Sequence, residues 1–374
     1  MAAPDVLIIG AGIVGAACAA ECAREGLSVN VVEAEVVGGG ATAAGMGHLV
    51  VMDDSEAQFA LTRYSVKLWS ELARELPGDA EFANCGTIWV AADEEEMSFL
   101  PAKRDYYVSR GVRAEILDAR SLAEAEPNLR AGLTGGLLVR DDCVLYPPCA
   151  AQFLMQQAQA RGARLEIGNR VAEIESDGVR MENGTRVQAG IIVNATGSAA
   201  AQLTPGAQVR PRKGHLVITD RYKGLVRHQL VELGYLKSAH SVSTDSVAFN
   251  VQPRPTGQLL IGSSRQYGND DRRVDSALLS RMLNRAEEFM PALGGISAIR
   301  TWTGFRAATP DKLPLIGKWP EHEKLFMAAG HEGLGITTSL ATGKLLADEI
   351  MKRDSAIPRG PYSPERKFDD PHQH

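Results

Sequence analysis

The sequence predicts a two-domain α/β protein of α+β character, a parallel sheet wound with helices being interleaved with an antiparallel sheet. Three observations carry that expectation. Short, continuous apolar runs that lead into glycine turns occur near the start (6–9), the middle (191–194) and the carboxyl end of the chain, as strands buried on both faces require. Alternating patches such as HLVITD, SVAFNVQP and QLLIGS lie between the last two of them, and alternation is the pattern of a half-buried antiparallel sheet. A chain of 374 residues is also too long for one ordinary domain.

The first element is the run 6–9, followed by Gly10, Gly12 and Gly15 in G-x-G-x-x-G spacing. The first glycine allows a tight turn, the second lets a pyrophosphate approach the backbone, and the third lets helix and strand pack closely. A helix over 13–24 points its amino end at that phosphate, where free N–H groups and the helix dipole favour negative charge. Gly26 ends it, 29–32 returns as the next strand, and Glu33 stands where a carboxylate can accept from both hydroxyls of a ribose. The unit is of the Rossmann type.

The residues after Glu33 point to FAD rather than NAD. Residues 33–42 read E-x4-G-x-G-A-T, and GGGATAAGMG (38–47) is a second glycine-rich loop beside the first. Small residues there suit a cofactor whose pyrophosphate and ribityl chain run along the backbone. Ala195, Thr196 and Gly197 form another close-approach turn after the run 191–194. Gly330, Gly333 and Gly335 precede a helix whose amino end would favour negative charge on a reduced flavin.

The remaining elements come in chain order. Residues 56–76 have helical apolar spacing, 82–91 reads as a strand, and 94–110 as a helix. A strand over 132–139 precedes the loop DDCVLYPP, and a helix covers 149–161. Residues 165–174 and 178–187 read as a hairpin-like pair with a turn at 182–185. Residues 209–262 form the antiparallel sheet, 274–290 and 340–352 are helices, and the polar tail from 358 is expected to be loose. The expected division assigns 1–84, 146–210 and 307–374 to an FAD-binding domain, and 85–145 and 211–306 to a substrate-binding domain.

Composition narrows the function. Formal net charge is −6 with acids and bases interspersed, so neither a nucleic-acid stripe nor a charged tail is expected. The start MAAPDVLIIG has no charged n-region and its apolar run stops at Gly10, so a signal peptide or integral membrane span is not expected. Cys18, Cys22, Cys85, Cys143 and Cys149 are odd in number and unpatterned, as for thiols of a cytoplasmic protein. Cys18 and Cys22 lack nearby histidines, so no metal site is expected; peripheral membrane association stays open.

From residue 5 to about 350 the chain resembles the D-amino acid oxidase superfamily of FAD enzymes. GAGIVGA, GGGATAAGMG, VNATGS, QPRPTGQLLIGSS, WTGFRAATPDKLPLIG and GHEGLGITTSLATG carry the resemblance. Within it, AAGMGHLVVMDD, LIGSSRQ and GHEGLGITTSLATG look most like the D-hydroxyproline dehydrogenase branch, with opine oxidase subunits close by. The expected cofactor contacts are Gly10, Gly12, Ile13, Val14, Gly15, Glu33 and Ala34 in the first unit, and Gly40, Ala41, Thr42, Gly45, Met46 and Gly47 in the second loop. Val171, Ala195, Thr196, Gly197, Arg306, His331, Gly333, Leu334, Gly335, Ile336 and Thr337 complete them. Since no cysteine follows Cys149, the position of the flavin-linking cysteine in monomeric sarcosine oxidase is empty, and the FAD is expected to be non-covalent.

The resemblance assigns Arg306, in WTGFR, to the substrate carboxylate, although the proline that follows it in relatives is Ala307 here. A bidentate guanidinium would fix an amino acid with its Cα–H toward flavin N5. His48, Asn250 and Arg265 fall at pocket positions of glycine oxidase but differ from its residues, which argues for a larger, more polar substrate. His215, Tyr235 and His240 remain candidates without a role. The expected reaction is hydride transfer from Cα of a D-amino or cyclic imino acid to the flavin, leaving an imine, with no general base needed. The best single substrate is 4-hydroxy-D-proline. An opine, held by Arg306 and Arg265 together, or a glycine or sarcosine type of amine is the alternative. A flavin-holding subunit that passes electrons to other chains is the alternative of another class. The electron acceptor stays open, as does assembly into homo-oligomers or hetero-oligomers.

Overall fold

The computed structural model describes residues 3–234, 245–269 and 271–368. Two large sheets organise the chain. The first has six strands in the order Leu315–Lys318, Leu325–Ala329, Ile191–Asn194, Val6–Ile9, Val29–Glu33 and Arg164–Ile167. All its neighbours run parallel except the edge pair Leu315–Lys318 and Leu325–Ala329. Its strands come from the beginning, middle and end of the sequence, so the chain leaves and re-enters this sheet as expected. Helices Ile13–Arg24, Pro147–Ala160 and Gly335–Ile350 cover one face. Gly343 lets the first and last cross closely, because a Cβ there would stand 2.8 Å from the Ala17 carbonyl oxygen.

The second sheet has eight strands in the order Ala298–Ala308, Arg210–Thr219, Leu259–Arg265, Ser246–Pro253, Gln229–Glu232, Thr87–Ala91, Gly135–Val139 and Ala114–Asp118. It is antiparallel apart from the pair Thr87–Ala91 and Gln229–Glu232. Helix Ser276–Phe289 packs on its back, with Phe289 stacked on Phe249 at 4.7 Å between centroids. Asp275 caps that helix by accepting from the N–H groups of Ala277 and Leu278. A short antiparallel ladder pairs His48–Leu49 with Cys143–Val144.

Several boundaries differ from expectation. The run 165–174 is not one strand: Arg164–Ile167 joins the parallel sheet, and Val171–Glu175 starts a three-stranded sheet with Gly178–Met181 and Arg186–Gln188. Gly168, at φ +84° with its N–H on the Glu33 carbonyl, makes the break that the alternation conceals. The strand expected over 82–91 begins at Thr87, because Gly86 at φ +70° turns its N–H to the Asp142 carbonyl. The closing helix starts at Gly335 rather than 340, and the helix after DDCVLYPP at Pro147, where proline suits a first turn. The tail is not loose as far as it is described. Tyr362 is buried and its hydroxyl donates to the Ala57 carbonyl at 2.6 Å, while Arg366 pairs with Asp311 and donates to the carbonyls of Leu313 and Pro314.

Candidate active site

The glycine spacing becomes a specific set of close approaches. Gly10 sits at φ +100° with its N–H on the Val32 carbonyl, and a Cβ there would lie 2.8 Å from the Ala195 carbonyl oxygen. A Cβ on Gly15 would lie 1.9 Å from the Gly10 carbonyl oxygen, so no side chain fits between strand and helix. The second loop locks onto the first: Thr42 Oγ1 accepts from the Ile13 N–H at 3.0 Å, and the Gly38 N–H donates to the Ala11 carbonyl at 2.9 Å. Glu33 ends its strand with each carboxylate oxygen on one backbone donor, Ala11 N–H at 2.7 Å and Glu35 N–H at 2.8 Å. Its head is therefore fixed while further lone pairs remain for a ligand hydroxyl.

These loops open onto one cavity of about 430 Å³ that extends to the eight-stranded sheet. Of the expected cofactor positions, Gly10, Gly12, Ile13, Val14, Glu33, Ala34, Gly40, Ala41, Thr42, Gly45, Met46, Gly47, Val171, Ala195, Thr196, Gly197, Arg306, His331, Gly333, Gly335 and Ile336 line it. Gly15, Leu334 and Thr337 are not among its lining residues. Gly15 packs under Gly10, Leu334 packs against the apolar cluster around Trp89, and Thr337 donates its hydroxyl to the His48 carbonyl at 2.8 Å. The loop 44–48 is further held by Gln252 Nε2 on the Met46 carbonyl at 2.7 Å and Trp302 Nε1 on the Ala44 carbonyl at 3.3 Å.

Arg306 lies on strand Ala298–Ala308, opposite Arg212, and Gly304 lies opposite Gly214. Its side chain crosses Gly214 and donates from Nη1 to the Ser264 carbonyl at 3.0 Å. His48 lines the same cavity and is pushed down to about 3 by burial, then by the Arg306 charge, so it is neutral near pH 7. Its Nε2 and Asn250 Oδ1 are buried without a protein partner among the described residues, and both residues line the cavity. Burial likewise pushes His331 to about 3, and its Nε2 meets Thr342 Oγ1 at 2.9 Å.

Two sequence candidates are placed elsewhere. Arg265 is buried but does not line the cavity. His215 faces away from it: Nε2 accepts from the Asp275 N–H at 3.0 Å, so Nδ1 carries the proton and donates to Ser264 Oγ at 2.9 Å. That ring supports the start of helix Ser276–Phe289. Tyr235 and His240 fall outside the described residues. Sequence reasoning missed Asn169, Arg170, Ser198, Gln202, Ser263, Arg272 and Glu332 in the lining. Asn169, Arg170, Arg272 and Glu332 lie on connecting segments and Ser198 and Gln202 on single helical turns, too short for periodicity to mark the inward side, while Ser263 lies on a strand buried along its whole length.

The residues present fit FAD. Glu33 keeps acceptor capacity beside the cavity, glycine backbone lines the middle, and the helix Gly335–Ile350 directs its amino end at the far part, while polar side chains remain for a substrate. Fold and cavity together define an FAD-dependent oxidoreductase.

The chain belongs to the DAO family of FAD dependent oxidoreductases, which its residues 5–349 match. It is 31% identical to the glycine oxidase of Geobacillus kaustophilus over 96% of this chain and 96% of that protein. A crystal structure of glycine oxidase from that species has a TM-score of 0.87 and 29% identity, covering 98% of this chain and 100% of that one. The chain is 27% identical to the hydrogen cyanide synthase subunit HcnC of Pseudomonas aeruginosa, over 94% and 93% of the two. The crystal structure of L-proline dehydrogenase from P. horikoshii has a TM-score of 0.87 at 25% identity, over 97% of each chain. The protein is thus an enzyme of FAD-dependent amine or amino acid oxidation, with FAD as its cofactor. No helix among the described residues is long and apolar enough to cross a membrane.

Proposed function

We propose that this enzyme oxidises a D-configured or cyclic amino acid to its imine, with 4-hydroxy-D-proline as the best single substrate. The observation that carries the reading is the cavity wall where Arg306, neutral His48 and Asn250 meet the cofactor loops. Arg306 supplies the positive charge and forked geometry for the carboxylate. His48 Nε2 and Asn250 Oδ1, buried beside the cavity without protein partners, suit a substrate with additional polar groups rather than glycine. A histidine held near 3 is a poor base at neutral pH, which fits a substrate that arrives as the neutral amine. Bound FAD supplies the hydride acceptor, and the protein's part is to orient Cα–H and exclude competing geometries.

We assign residues 1–84, 146–210 and 307–374 to FAD binding, and 85–145 and 211–306 to the substrate side. FAD is held without a covalent link. An opine is less well supported than a monocarboxylate, because Arg265 is not in the cavity lining. A cytoplasmic location accords with five free cysteines. A second reading, a flavin-holding subunit of a hetero-oligomer, is favoured by the likeness to a protein named as a synthase subunit. An anaerobic flavin-reduction screen of the chain purified alone, across both proline and 4-hydroxyproline enantiomers, D-amino acids, glycine, sarcosine and opines, tests both. Bleaching by a hydroxyproline supports the first reading; no bleaching by any substrate supports the second.

A further inference from the structure

Away from the cavity lining, three neighbouring segments each bury a polar side chain with an oxygen left without a partner among the described residues. Asp142, Thr87 and Gln229 are each at most 1% exposed, and Asp142 Oδ2, Thr87 Oγ1 and Gln229 Oε1 have no hydrogen-bond partner among the described residues. Thr87 and Gln229 are register partners on adjacent parallel strands, and the Thr87 hydroxyl lies beside the Asp142 carboxyl. The other carboxyl oxygen, Oδ1, accepts from the Val51 N–H at 3.2 Å, and the Asp142 carbonyl accepts from the Gly86 N–H at 2.9 Å. Asp142 immediately precedes strand Cys143–Val144, which pairs with His48–Leu49. The residue thus links the segment that carries His48 to the starting ends of two interior strands of the eight-stranded sheet.

We propose that Asp142 is a positioning residue for His48: in its protonated form it donates from Oδ2 to the Thr87 hydroxyl, whose own proton is then free to turn toward its register partner Gln229, while Oδ1 holds Val51, and loss of that proton slackens the segment 47–53. The inference rests on the reading that His48 faces the substrate. With the proton on Asp142 the Thr87 hydroxyl can serve Gln229 Oε1, whereas an ionised carboxyl draws that hydroxyl to itself and leaves Gln229 Oε1 without a donor in a dry site. Burial pushes Asp142 up to about 7, and the neighbouring Asp141 adds to the rise; Thr87, the Val51 N–H and Lys103 oppose it. The other titratable groups facing it are Tyr107, Cys85 and Cys143. Tyr107 donates to the Val51 carbonyl at 3.2 Å, and Lys103 is committed to Asp53, so neither supplies the missing donor. The proton stays on Asp142 below about pH 7 and leaves above it.

The test is amide exchange of residues 47–53 in the FAD holoenzyme between pH 6 and 8, corrected for intrinsic rate. Protection should fall about tenfold as the protonated fraction falls from roughly ten elevenths to one eleventh. Asp142→Asn mimics the protonated acid, with one acceptor and one donor, and should keep protection high and flat with pH. Thr87→Val removes the neighbouring hydroxyl that lowers the carboxyl, so the midpoint should move upward; this variant decides the matter if Asp142→Asn does not fold. With 4-hydroxy-D-proline, wild-type KM should rise across the same window while kcat changes little, and Asp142→Asn should abolish that rise. Equal pH slopes of exchange in wild type and Asp142→Asn, or an unmoved midpoint in Thr87→Val, would overturn the proposal. Failure of every proline-type substrate to reduce the flavin counts against the proposed function instead, and the exchange result still decides the role of Asp142.

Discussion

Arg306 rests on Gly214. A Cβ at Gly214 would stand 2.4 Å from Arg306 Nη1 and 3.0 Å from Cζ, so the guanidinium can reach the Ser264 carbonyl only because position 214 carries no side chain. Gly214→Ala should therefore leave the fold and flavin content near normal while turning the guanidinium away. Turnover efficiency is expected to drop between about tenfold and a hundredfold, as misplacement of about 1 Å can do. Unchanged reductive rates in this variant would mean that the observed Arg306 pose is not the working one.

Arg306→Lys keeps the charge and loses the planar fork, so efficiency should fall at least about a hundredfold with flavin binding little altered. Arg306→Ala should be worse, through a large rise in apparent substrate constant. Arg265→Ala is the contrast, with a modest loss for proline-type substrates because the residue does not line the cavity. A severe loss confined to opines would revive the dicarboxylate alternative. Anaerobic stopped-flow reduction measures all three.

Glu33→Ala should strip FAD from a protein that still folds. Two ribose hydrogen bonds to a carboxylate are worth on the order of 1.5–3 kcal/mol each. The carboxylate also accepts from Ala11 and Glu35, so some stiffness of the turn goes with it. Flavin content after purification is the measurement, and full occupancy would remove Glu33 from the site.

Thr42→Val tests the link between the two glycine loops. The hydroxyl accepts from the Ile13 N–H at the start of the phosphate helix, and its loss should cost about 1 kcal/mol of stability. The resulting drop in Tm should be larger with FAD than without it, because the same bond sets the helix end that faces the cavity.

Two neutral buried histidines predict an acid sensitivity. His48 and His331 sit at about 3, below the ordinary 6.5, so the unfolded chain binds more protons than the folded one between those values. Their contribution is complete above about pH 6.5 and is lost as pH falls toward 3. Asp142, raised to about 7, acts in the opposite direction over the same window, but the two histidines together outweigh it, so Tm should decline from pH 7 to pH 5, and His331→Gln should show a shallower decline.

How much of the fold and site was legible in the sequence depends on what each feature needs. Gly10, Gly12, Gly15 and Glu33 are read from spacing alone, because a Cβ at position 10 or 15 would collide with backbone and one at 12 would press on Thr42 Oγ1, so the turn keeps its glycines in a fixed spacing. Arg306 is found by its motif, but the bare Gly214 that positions it becomes visible only when the two strands are paired. Gly168 hides a strand break inside an alternating run, since alternation continues in sequence while the backbone turns. Tyr362 and Arg366 read as tail residues because local composition is polar; their partners, Ala57 and Asp311, are distant in sequence. Asp142 reads as an ordinary loop acid, and only burial against Thr87 and Gln229 sets it apart.

On the proposed function, this chain alone passes hydride equivalents from a cyclic amino acid, gripped by Arg306, to its FAD. The most direct measurement is anaerobic reduction of the purified holoenzyme by 4-hydroxy-D-proline, run beside D-proline, glycine, sarcosine and octopine, in wild type and Arg306→Ala. Rapid bleaching of wild-type flavin by the hydroxylated imino acid is expected, with slower bleaching by the others and little reduction of Arg306→Ala at the same low concentration. Near-normal reduction of the Arg306→Ala flavin, or a wild-type flavin that only glycine or an opine can bleach, would contradict it.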